Sequence, residues 1–107
     1  MSNLFRFRKY KKTQGKKKLK HPKLIVDDYD SEFGFMGLTS SKSKGKKHKN
    51  IPLHHNPQEG NSKQAYLRRK IEYDNKKMFG EILSNYKLSD DDMDNIVSYV
   101  AKRKKKR

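Results

Sequence analysis

The chain has 107 residues, 28 of them Lys or Arg and 12 Asp or Glu, giving a formal net charge of +16, and its apolar share of 31% is enough for one small core. No run approaches the roughly 20 apolar residues of a membrane span, and no apolar run follows the first charges as in a signal peptide, so a cytoplasmic protein with no membrane partner is expected. The complete lack of Cys excludes disulfide scaffolds, thiolate metal sites and thiol nucleophiles.

So large a positive surplus works against compaction unless a polyanion is near, and RNA or DNA is the default partner. The surplus is uneven. Residues 1–20 hold nine cations and no acid, residues 42–50 hold five Lys, and residues 102–107 are all basic. Together these runs carry twenty of the 28 cations and none of the 12 acids, so the rest of the chain is mildly acidic. Such runs bury too little apolar area to offset their chain entropy. The expected organisation is therefore a basic flexible arm over 1–19, a domain over 20–101 interrupted by a basic loop at 42–50, and a basic tail over 102–107. The candidate phosphate-binding cations are Arg6, Arg8, Lys9, Lys11, Lys12, Lys16, Lys17 and Lys18 of the arm, Lys44, Lys46 and Lys47 of the loop, and Arg69.

In chain order, the first candidate element is Leu4 to Tyr10, where Phe5, Phe7 and Tyr10 interleave with Arg6, Arg8 and Lys9. The pattern offers stacking faces beside phosphate-binding cations, and its period-two alternation equally fits a short edge strand. Leu24, Ile25 and Val26 end a strand over 23–26, and Asp27, Asp28, Tyr29, Asp30 and Ser31 supply turn chemistry. Phe33 to Thr39 pairs with it as a hairpin, with Gly34 and Gly37 marking a bulge or a close backbone approach. The polar loop Ser40 to Asn50 leads to a short apolar stretch, Ile51 to Leu53, and Asn56-Pro57 with Gly60-Asn61 breaks the chain again. A further strand is expected over 65–71. Lys76 to Tyr86 reads as a helical turn or two, with Met78, Phe79, Ile82 and Leu83 on one side and Gly80 as a weak point.

The last element is an amphipathic helix. Ser89 caps it with Asp92 three residues on, Leu88 staples onto Met93, and Met93, Ile96, Val97 and Val100 form one apolar face. Asp90, Asp91 and Asp92 suit the positive end of the helix dipole, and Lys102 to Lys104 the negative end. Short strands, polar loops and one closing helix give the fold class α+β, a small, strongly bent antiparallel sheet or partly open barrel with a C-terminal helix.

The order of these motifs resembles the PemK/MazF family of toxin endoribonucleases over roughly residues 20–101. The matching pieces are Lys20-His21-Pro22-Lys23-Leu24-Ile25-Val26, Phe35-Met36-Gly37-Leu38-Thr39-Ser40-Ser41, Asn50-Ile51-Pro52-Leu53, Ala65-Tyr66-Leu67-Arg68 and Leu88-Ser89-Asp90-Asp91-Asp92-Met93. The resemblance implies an SH3-like barrel, usually a homodimer with an antitoxin-like protein partner, that cleaves single-stranded RNA without a metal or other cofactor. It assigns Arg68 as the catalytic cation and places Thr39 and Ser40 at the scissile phosphate. A permanently charged, bidentate Arg suits a developing phosphorane, but it is a poor base. Two features depart from the family pattern: the opening Gly-Asp-Ile strand is replaced by the basic arm, and the acid two positions after the Arg is Lys70.

For Arg68 and Arg69 the alternative is a strand edge protected by charge, and for Thr39 and Ser40 it is ordinary turn chemistry. His54, His55 and His48 do not make a metal site, because neighbouring strand side chains point to opposite faces; either of the adjacent pair could contact phosphate or act as a base. No phosphate-cradling glycine loop or nucleophile elbow is present. The leading expectation is a nucleic-acid-binding protein with endoribonuclease activity of PemK/MazF type. The alternatives are a non-catalytic RNA- or DNA-binding or ribosome-associated protein working through its arms, and an inhibitor of a nucleic-acid-processing partner.

Overall fold

The computed structural model describes residues 3–11, 21–44 and 48–103. Nine short strands precede one helix: β1 (Phe7–Tyr10), β2 (Lys23–Tyr29), β3 (Glu32–Thr39), β4 (Ser43–Lys44), β5 (His48–Lys49), β6 (Ile51–Pro52), β7 (Tyr66–Leu67), β8 (Glu72–Asn75), β9 (Phe79–Ile82) and α1 (Asp90–Arg103). Seven strands form one antiparallel sheet in the order β6-β7-β3-β2-β1-β9, with β8 also paired to β3, while β4 and β5 form a separate two-stranded hairpin. The sheet curves without closing, so the class is α+β as expected.

The central hairpin follows its sequence signals. The aliphatic run of β2 and the aromatic run of β3 pair in register from Lys23↔Gly37 to Tyr29↔Glu32, with an irregularity between Ile25 and Asp27. Strand alternation lets β2 feed two clusters, one on each face. Leu24 and Val26 join Phe7, Met36, Leu38, Leu67, Leu88, Ile96 and Val100 in the main core. Ile25 joins Phe33, Phe35 and Phe79 in a smaller aromatic core, with Leu4, Tyr10 and Met78 packed against it. The helix covers the first cluster through Ile96 and Val100 and leaves Val97 41% exposed, narrowing the apolar face read from spacing.

Four expectations are corrected. Residues 3–11 are part of the fold, not of a flexible arm. Phe7 is fully buried, and β1 lies between β2 and β9, so it is an inner strand. Burying Phe7 and packing Phe5 and Tyr10 supply the apolar area that the charge run conceals. Phe5 adopts φ +61° to make the turn into β1 while its N–H reaches Ile25 O at 2.6 Å. The remainder of the proposed arm, 12–20, lies outside the described residues.

The second correction concerns 76–86. Only Lys76–Met78 is helical, a 3₁₀ turn whose start is capped by Asn75 Oδ1 accepting from Lys77 N at 2.8 Å. Phe79–Ile82 is a strand because it supplies hydrogen bonds to the second edge of β1: Tyr10 pairs Phe79, Arg8 pairs Ile82, and Leu83 N donates to Phe7 O. A local helix with Gly80 inside it would forgo these bonds. The strand expected over 65–71 divides into β7 and β8, which meet the same edge of β3 at its two ends. Lys102 and Arg103 of the expected tail belong to α1, and 104–107 lie outside the described residues.

Candidate nucleic-acid interface

β3 positions the candidate residues. Register pairs Leu38 with Leu67 and Thr39 with Tyr66, and Arg68 N donates to Gly37 O at 2.9 Å. Leu38 and Leu67 point into the helix-covered core, so by strand alternation Gly37, Thr39, Tyr66 and Arg68 share the other face. The missing side chain of Gly37 makes room for Arg68: a β-carbon there would lie 3.3 Å from Arg68 Cδ. Arg68 is half-buried, and its guanidinium forms no hydrogen bond or ion pair among the described residues. Thr39 is buried and its Oγ1 accepts from Ser41 N at 3.1 Å, a turn contact at the strand end, while Ser40 beside it is exposed. Arg68 and Thr39 are thus brought to one face, with Ser40 just past the strand.

Asn50, which sequence reasoning quoted only within a motif, ties this end together. It is buried, its amide donates to Ser41 O at 2.9 Å, and its N–H donates to Lys42 O at 3.0 Å. The base of the β4–β5 hairpin is thereby fixed beside Thr39. The signal was a lone Asn between a basic run and an Ile-Pro pair.

Arg69 turns toward the helix. Its Nε donates to Lys49 O at 2.7 Å, and its Cζ lies 5.8 Å from the Tyr99 ring centroid, while Tyr99 Oη donates to Arg69 O at 2.9 Å. Arg103 Cζ lies 4.7 Å from the same ring. Neither Tyr99 nor Arg103 had been singled out, since each reads as an ordinary helix-surface residue.

Arg8 is corrected. Its guanidinium faces inward, donating to Gly80 O at 2.6 Å and Asn3 Oδ1 at 2.8 Å and lying 5.4 Å from the Phe33 ring centroid, so it serves the fold. Arg6, just before β1, and Lys9, within it, are half-buried, and Lys11 is exposed with its N–H on Met78 O. Lys12, Lys16, Lys17, Lys18, Lys46 and Lys47 lie outside the described residues, and of Lys44 only the backbone is placed, in β4.

The charges separate along β3. Its Glu32 end gathers Asp27, Asp28, Asp30, Glu72 and Asp74, and its Thr39 end meets Arg68, Arg69 and Lys70 with no carboxylate in 36–44, 49–53 or 65–71, while Lys23 is buried with its Nζ on His21 O and over the Tyr10 ring. Three carboxylates of the acidic end, Asp27, Asp28 and Asp74, find partners within the protein. Asp28 pairs with Lys76 and accepts from Asn3 Nδ2, and these contacts, Lys76 first, hold its carboxyl below the usual 3.8. Tyr10 donates to Asp74 at 2.8 Å, and Tyr73 to Asp27 at 2.8 Å. Burial first, then the Asp74 bond and charge, raise the Tyr10 phenol far above its ordinary value.

His54 and His55 are exposed, but their N–H groups both donate to Asp92, at 2.8 and 3.1 Å. Asp92 is only 1% exposed and also accepts from Ser89 Oγ. It therefore does more than cap the helix, since it fastens the 53–55 segment to the first turn of α1. A polar cleft of about 610 Å³ opens beside it, lined by His54, His55, Asn56, Asn61 and Gln64 among others. Among the described residues, no three His or carboxylate side chains are grouped to hold a metal ion, and no helix is long and apolar enough to cross a membrane. Compared with known proteins, the chain matches no family model, no curated protein and no solved structure.

Proposed function

We propose that this protein binds RNA at the basic end of its sheet and cleaves it there without a metal, with Arg68 facing the scissile phosphate. The observation that carries the reading is the Arg68 guanidinium, laid across Gly37 on the face of Thr39 and left without a partner among the described residues. An Arg held in place by packing and lacking a carboxylate is organised for an anion from outside. The motif order shared with the PemK/MazF family supplies the expectation of single-stranded RNA and of attack by the ribose 2′-hydroxyl. In that step the 2′-oxygen bonds to phosphorus as the bond to the 5′-oxygen breaks, with protons exchanged with water. Arg68 stays protonated throughout and stabilises the charged phosphorane.

The test is a long RNA incubated with stoichiometric protein in EDTA, alongside binding measured across salt concentrations. Wild type is expected to cut, and Arg68→Ala to lower the rate by about 10²-fold or more and the salt slope of binding by about one. RNA left intact by wild type removes the nuclease and keeps the binder. Salt-independent binding, or none, removes the nucleic-acid reading altogether.

A further inference from the structure

The surface around Tyr99 points to a second contact for the same ligand, an inference that rests on the Arg68 reading. Two guanidiniums from separate elements converge on this ring, Arg69 from the end of β7 at 5.8 Å and Arg103 from the last turn of α1 at 4.7 Å. The ring is held by packing on the main core and by its hydroxyl on Arg69 O. Arg69 is held in turn by its Nε on Lys49 O, and its two terminal nitrogens make no hydrogen bond among the described residues. Neither guanidinium pairs with a carboxylate among the described residues. A helix C-terminus alone attracts a cation such as Arg103, but it does not explain why Arg69 is fastened beside it. Two cations held over one ring, with no carboxylate paired to either among the described residues, are open to an anion from outside.

Arg68 and Arg69 are consecutive, yet they serve opposite sides of the sheet, since Arg68 lies over Gly37 and Arg69 lies against the helix. A ligand that touches both must bend around the β6–β7 end of the sheet. A single strand does so readily, whereas a duplex, with a persistence length of about 150 base pairs, does not. We propose that Arg69, Tyr99 and Arg103 form an exit platform for single-stranded RNA: the Tyr99 ring holds the two guanidiniums in place, and they take phosphates of the segment leaving Arg68.

Anisotropy with cleavage-resistant 2′-O-methyl RNAs tests this, using a 5-mer, a 15-mer and a 15-base-pair duplex. The Arg69→Gln/Arg103→Gln double variant should bind the 15-mer about 10- to 100-fold more weakly, with a salt slope smaller by about one to two, while binding the 5-mer like wild type. Tyr99→Phe keeps the ring and should retain 15-mer binding, whereas Tyr99→Ala should lose about tenfold; thermal melts check that both variants fold. Unchanged 15-mer affinity and slope in the double variant, with Arg68→Ala still weakening the 5-mer, overturn the platform and leave the Arg68 reading standing. Equal affinity of wild type for duplex and 15-mer also overturns it. Loss of all RNA binding in wild type removes both.

Discussion

The two ends of β3, about 23 Å apart along an eight-residue strand, handle charge in opposite ways. At the Glu32 end, charged and phenolic groups find partners inside the protein: Asp28 with Lys76 and Asn3, Asp27 with Tyr73, Asp74 with Tyr10, and Arg8 with Gly80 O. At the Thr39 end, Arg68 has no partner among the described residues, and Arg69 and Arg103 spend little of their hydrogen-bonding capacity. A buried or half-buried polar group that is internally satisfied belongs to stability, while one that is positioned and left open awaits a ligand. Substitutions at the acidic end should therefore change folding and spare RNA affinity, and those at the basic end should do the reverse.

The largest expected effect tests whether β1 belongs to the framework that carries Arg8 and Tyr10 to the acidic end. Phe7→Ala removes a fully buried ring and should destabilise the protein by about 3–5 kcal/mol in chemical denaturation. A loss below about 1 kcal/mol would mean that the strand is dispensable. Gly34→Ala comes next. A β-carbon there would lie 2.7 Å from Tyr73 Cε2 and 2.8 Å from Asp27 Cβ, and the crowding should cost about 1–3 kcal/mol, whereas Gly37→Ala meets only the flexible Arg68 stem and should show its effect in RNA binding.

Tyr73→Phe should cost about 1 kcal/mol by removing a hydrogen bond to the buried Asp27 carboxylate and leave RNA affinity within about twofold; an equal loss of affinity would break the contrast between the ends. The smallest effect is in pH. Asp28 titrates lower in the folded state than unfolded, so its stabilisation is complete at neutral pH and is lost as pH falls below about 4. Wild type should exceed Asp28→Asn by less than about 1 kcal/mol at pH 7, because the pair is partly exposed, and the two should converge in acid-dependent thermal melts.

Local signals made some of this legible. The β2–β3 hairpin and the capped helix were readable because alternation, turn residues and the Ser89–Asp92 pair act within a few residues. Arg68 and Thr39 were readable only as a motif, without the face they share. β1 was obscured by the cations threaded through it. β9 was misread because Met78, Phe79, Ile82 and Leu83 have helical spacing, and only the open edge of β1 makes a strand the better use of that segment. Tyr99 carried no signal, since its role depends on an Arg 30 positions away.

By itself, then, the sequence determined a small α+β core, its central hairpin, its closing helix and a surplus of positive charge gathered in runs. Which cations remain available was decided by the tertiary structure. Arg8 is consumed by a carbonyl 72 residues distant and Tyr10 is tied to a carboxylate 64 residues distant, while Arg68 lies over a glycine with no hydrogen bond or ion pair of its guanidinium among the described residues. Hydrogen bonds satisfy whichever groups the folded chain brings within about 3 Å, and no charge count along the chain can say which those will be.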